Sequence, residues 1–107
     1  GFPPVVMLHG LFGNGLTWNR LAMVINYVFD VYLPDARGHG LSECPPDGHT
    51  LDELARDAAE FIRNLNLEPA IVIGHSMGAA TAAKLAADFP DLVSAMILID
   101  PPWYPRI

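Results

Sequence analysis

Ile71-Val72-Ile73-Gly74-His75-Ser76-Met77-Gly78-Ala79-Ala80 decides the fold, because a β-rich apolar run stops at a Gly-x-Ser-x-Gly and an alanine-rich helix begins at once. The run before Gly74 reads as a buried strand, and Ala79 to Ala87 as a helix. A serine caught between them sits on a very sharp turn with a strained backbone. Only small neighbours at Gly74 and Gly78 allow the helix to pack close to the strand there. The hydroxyl is then pushed out at the carboxyl edge of a sheet, where open α/β sheets place their ligands. The amides that open the helix point toward any negative charge forming at that spot.

Outward from this turn, the chain alternates strands and helices. Val5-Val6-Met7-Leu8 is a short apolar run that ends at His9-Gly10 and a glycine-rich turn (Gly10, Gly13, Gly15). From Thr17 the apolar positions Trp18, Leu21, Ala22, Val24, Ile25 and Val28 recur at helical spacing. Phe29 to Leu33 reads as a second strand, ending at Pro34-Asp35, and the stretch 36–49 is too broken by glycine and proline for regular structure. Thr50-Leu51-Asp52-Glu53 fits a capping box. The helix it opens carries Leu51, Leu54, Ala55, Ala58, Phe61, Ile62 and Leu65 on one face, with Asp52, Arg56, Glu60 and Asn64 opposite. After the Ser76 helix, which Pro90 stops, Ala95 to Ile99 forms a fourth strand ending at Asp100-Pro101-Pro102. Strands alternating with helices predict an α/β fold with a parallel sheet and right-handed crossovers.

Composition narrows the functional classes. The 107 residues hold one core at most. Charged residues make up 17%, below the roughly 25% of an average domain, so residues 1–107 are expected to be part of a larger core domain. A net charge of -6 with scattered Lys and Arg argues against nucleic acid, which needs a clustered basic face. Cys44 is the only cysteine, so no internal disulfide forms, and no Cys/His spacing resembles a zinc site. No apolar run reaches the roughly 20 residues of a membrane span, and no signal peptide is visible. A cytoplasmic setting is favoured, and nothing in the residues fixes the oligomeric state.

Three motifs stand in register: His9-Gly10-Leu11-Phe12-Gly13 after the first strand, Asp35-Ala36-Arg37-Gly38-His39-Gly40-Leu41-Ser42 after the second, and Gly74-His75-Ser76-Met77-Gly78 after the third. Together they resemble the α/β-hydrolase superfamily over nearly the whole chain. The resemblance implies a parallel sheet with helices on both faces, in which these strands are the third to sixth, in spatial order 4-3-5-6. Two strands before Gly1 and two after Ile107 would complete it, and 107 residues alone are expected to aggregate or stay partly molten. The resemblance also implies a serine hydrolase in which Ser76 attacks a carbonyl carbon to form an acyl-enzyme. The oxyanion would take hydrogen bonds from the backbone amides of Met77 and Leu11, with Phe12 the fallback. The substrate implied is a small or medium ester, thioester or related acyl compound, without metal or organic cofactor.

The family order is Ser, then acid, then His. In this sequence His9, His39, His49 and His75 all precede or adjoin Ser76, and none follows it. The catalytic histidine is therefore expected beyond Ile107, with this segment alone inactive. His9 and His39 are expected to hold their loops by hydrogen bonding. Asp100 ends the strand after the nucleophile's helix, where some relatives place the acid; the favoured reading is a turn starter before Pro101. Trp103 could line an acyl pocket or simply pack.

Other readings fit less well. Gly10-x-x-Gly13-x-Gly15 followed by Asp35 resembles a dinucleotide fingerprint only loosely, since the spacing is wrong and Gly-x-Ser-x-Gly would go unexplained. No P-loop is present. Carbon–carbon bond hydrolysis, peptide cleavage, cofactor-free peroxidation and acyl transfer remain open on the same scaffold, as does a non-catalytic binding relative. A dehalogenase or epoxide hydrolase would carry Asp in place of Ser76.

Overall fold

The computed structural model describes residues 2–9, 19–34 and 50–99, with the side chains of Asn19 and Arg20 outside that set. Its elements run β1 (Pro4–Leu8), α1 (Asn19–Ile25), β2 (Asp30–Tyr32), α2 (Leu51–Asn64), β3 (Ala70–His75), α3 (Met77–Asp88), a 3₁₀ turn at Pro90–Leu92 and β4 (Val93–Ile99). The strands form one parallel sheet in the order β2-β1-β3-β4. In that order the strands have the 4-3-5-6 arrangement. All of them therefore end at the same edge, and the ends of β1 and β3 lie side by side, with Leu8 in register with Gly74.

Strand alternation sends successive side chains of β1 to opposite faces. Val6 and Leu8 join Val72, Ala70, the α2 residues Ala55, Ala58, Ala59 and Ile62, and the α3 residues Ala82 and Leu85 in one core. Val5 and Met7 pack with Ile73 on the other side, under Ile25, Phe29, Val31 and Leu33. Helices thus cover both faces. Burial of each large aliphatic side chain is worth about 1.5–3 kcal/mol, and Val6, Met7, Ile62, Val72 and Leu85 are wholly buried.

Three expectations shift. Of the apolar positions expected on the first helix, Ala22 is buried and Ile25 packs on the sheet, whereas Leu21 and Val24 are exposed (38% and 70%), and Val28 (58% exposed) lies past the end of α1. On α2, Leu51 and Leu65 at the two ends are exposed, and the fully buried Ala59 belongs to the inward face. β4 begins two residues earlier than its apolar run, because Ala70 pairs with Val93 and Ile71 with Ala95, so a bulge at Ser94 lets the strand start sooner.

Helix α2 closes at Leu65 with Asn66 in a positive-φ conformation (φ 56°), where the Leu67 amide donates to the Ile62 carbonyl at 2.9 Å. Lys84 on α3 reaches Asp52 in the first turn of α2 and Asp88 on its own helix, both at 3.1 Å. The hydrogen bond to Asp52, followed by that to Asp88, holds the Lys84 pKa above its ordinary value. Among the described residues no helix is long and apolar enough to cross a membrane.

Candidate active site

Ser76 joins the last residue of β3 to the first of α3 and takes φ 54° and ψ -113°. A residue with a side chain rarely tolerates that conformation, which costs about 1–3 kcal/mol and persists only where the surroundings impose it. Those surroundings are visible. The Ser76 amide donates to the Ile99 carbonyl at the end of β4 (2.9 Å), and the Ser76 carbonyl accepts the Ala79 and Ala80 amides (3.0 and 3.1 Å). Both flanking glycines are required by space. A Cβ on Gly74 would lie 2.2 Å from the Gly78 carbonyl oxygen, and one on Gly78 would lie 2.1 Å from the Leu8 oxygen and 2.8 Å from the His9 oxygen. The Ser76 turn and the end of β1 are therefore in backbone-to-backbone contact.

The serine does not cap its own helix: its hydroxyl makes no hydrogen bond to the first-turn amides. Among the described residues the Met77 and Gly78 amides meet no backbone acceptor, while Ser76 and Met77 are half-buried and so within reach of solvent. The partial positive charge of the helix start is thus carried by the half-buried Met77 amide, next to Ser76, and by the amide of the buried Gly78. No acidic residue in the first turn of α3 competes for that charge.

Of the residues singled out in the sequence, Ser76 and Met77 are adjacent at the carboxyl edge, as expected. His9 is buried (2% exposed) at the end of β1, and His75 is exposed at the end of β3. Leu11, Phe12, His39, His49, Cys44, Asp100 and Trp103 lie outside the described residues. A cavity of about 110 Å³ opens between α2 and α3, lined by Leu8, His9, Pro34, Asp57, Phe61, Met77, Gly78 and Thr81 among others, but not by Ser76. Sequence reading passed over Thr81. Its buried hydroxyl donates to the Met77 carbonyl at 2.9 Å, and the available signal was a lone hydroxyl four residues after Met77 in an alanine-rich helix.

Comparison with known proteins agrees with this geometry: the alpha/beta hydrolase fold family matches residues 3–105. The chain belongs to that family. It is 37% identical over 98 residues to a 2-(acetamidomethylene)succinate hydrolase of Mesorhizobium japonicum, covering 92% of this chain and 35% of the relative. To an sn-1-specific diacylglycerol lipase of Mus musculus it is 39% identical over 100 residues, covering 92% of this chain and 32% of the relative. The solved structure of a marine microorganism esterase superposes with a TM-score of 0.88 at 41% identity, over 92% of this chain and 37% of the esterase. This alpha/beta hydrolase sequence therefore spans about a third of the length of the relatives it matches.

Proposed function

We propose that Ser76 is the nucleophile of a serine hydrolase that cleaves an ester, thioester or similar acyl bond. The single observation that carries this reading is the strained Ser76, which does not cap its own helix, at the carboxyl edge of the sheet next to a Met77 amide that no described backbone acceptor takes. In the proposed reaction the Ser76 Oγ attacks the carbonyl carbon and its proton passes to a histidine. The carbonyl oxygen becomes an oxyanion held by the Met77 amide and by the Leu11 amide in the turn after β1. Collapse breaks the acyl bond, and the histidine returns the proton to the leaving group. Water then releases the acyl group from Ser76 by the same path. Each donor to the oxyanion is worth about 10²- to 10³-fold in rate.

In this reading the histidine follows Ser76 in the full-length protein, as the family order of Ser, acid and His implies; none of the four histidines of this sequence does. The relatives' names, a succinate-derivative hydrolase, a diacylglycerol lipase and an esterase, support acyl-bond hydrolysis as the class of reaction without narrowing the acyl group. Labelling of the full-length protein by a fluorophosphonate tests the proposal. One adduct per molecule, on Ser76 and absent from Ser76→Ala, is expected; labelling that survives in Ser76→Ala would remove the assignment.

A further inference from the structure

A side chain bonded to the first amides of a helix ordinarily steadies its start, but in α3 the Ser76 side chain makes no such bond. The first turn must then be steadied from another side. Ser76 is held through its own amide and carbonyl, and the side-chain bond in this turn comes from Thr81, whose Oγ1 donates to the Met77 carbonyl at 2.9 Å. That carbonyl belongs to the peptide unit joining Met77 to Gly78, the unit that also carries the Gly78 amide. It pivots on the Met77 Cα together with the unit that carries the Met77 amide. Thr81 is buried (5% exposed) and lines the cavity between α2 and α3 beside Gly78 and His9.

We propose that Thr81 is a positioning residue: its hydroxyl grips the Met77 carbonyl from inside the helix and keeps the Met77 amide aimed at the developing oxyanion. This rests on Ser76 being the nucleophile. The competing account is that the hydroxyl merely satisfies itself on a carbonyl four residues back, as a buried threonine in a helix commonly does.

In the full-length protein, Thr81→Ser and Thr81→Ala differ by the hydroxyl alone, so they separate the two accounts. The measurements are the fluorophosphonate labelling rate, the affinity for a trifluoromethyl ketone that forms a tetrahedral adduct, and the melting temperature. Thr81→Ser is expected to keep the wild-type labelling rate, and Thr81→Ala to lose about tenfold in rate and in ketone affinity, less than deletion of a donor outright. Equal rates and equal ketone affinity in the two variants would overturn the proposal, whatever their melting temperatures. If the smaller side chains do not fold, the near-isosteric Thr81→Val against the wild type makes the same comparison. A wild-type protein that does not label, or a Ser76→Ala variant that does, instead removes the nucleophile assignment itself.

Discussion

Helix α2 starts at Thr50 in an ordinary extended conformation (φ -73°, ψ 157°), with its side-chain oxygen accepting the Glu53 amide at 3.2 Å and Asp52 and Glu53 in its first turn. Helix α3 starts at Ser76 at φ 54° and ψ -113°, without a capping bond from its side chain and without an acidic residue in its first turn. Both begin with a hydroxyl residue. The first spends the hydroxyl and two carboxylates on the helix dipole and gains stability. The second leaves its first amides without a side-chain cap, at a cost in strain that β1, β4 and α3 together absorb. A binding or catalytic function has use for the second arrangement, and the fold alone has use for the first.

The contrast breaks most severely if Gly78 gains a side chain. The new Cβ would meet the backbone carbonyls of Leu8 and His9, which cannot rotate aside. Gly78→Ala is therefore expected to cost about 3 kcal/mol, the upper end for overpacking, and to push the Ser76 turn away from the end of β1. Urea unfolding reads the first effect and fluorophosphonate labelling the second. A variant that keeps both within a factor of two would show that the close contact is not needed.

Ser76→Gly sharpens the contrast further, since it removes the strained side chain and the proposed nucleophile at once. Glycine accepts a positive φ without strain, so the variant is expected to be more stable than the wild type by about 1 kcal/mol, after allowing for its greater freedom when unfolded. It is also expected to lose fluorophosphonate labelling completely. A loss of stability instead would mean that the serine side chain supports the turn, contrary to its lack of a capping bond.

Much of this was legible in the residues, for physical reasons that differ along the sequence. The strands were readable because Val5 to Leu8 and Ile71 to Ile73 are short apolar runs with glycine close behind, and the sheet order was implied by the family resemblance that the three motifs carry. Thr50 announced its helix because capping is a local interaction. The burial of α1 was not readable, since helical spacing marks apolar positions but does not say which of them meets the sheet: Ala22 and Ile25 do, and Leu21 and Val24 do not. Thr81 escaped notice because its partner is a backbone carbonyl, which every residue carries and no pattern marks. The bulge at Ser94 depends on pairing with β3 and has no local signature.

Thr50→Ala gives the smallest effect and completes the comparison. Removing the side-chain oxygen leaves the Glu53 amide to water, which the exposed site supplies, so the expected loss is about 1 kcal/mol, typical of a helix cap. The first turn of α2 has a second support in Lys84, which reaches Asp52 across from α3. Because Asp52 and Asp88 raise the Lys84 pKa, that support is present below the lysine's unfolded value and is lost as pH rises through the folded one. The cap and the ion pair act on the same turn. Thr50→Ala should therefore cost more at strongly alkaline pH than at neutral pH, where Lys84 still holds Asp52. Its fluorophosphonate labelling rate should equal that of the wild type, because the start of α2 supplies no group to the Ser76 turn. A labelling rate that falls along with stability would mean that the two helix starts are coupled, and that the division between a start built for stability and one built for chemistry does not hold.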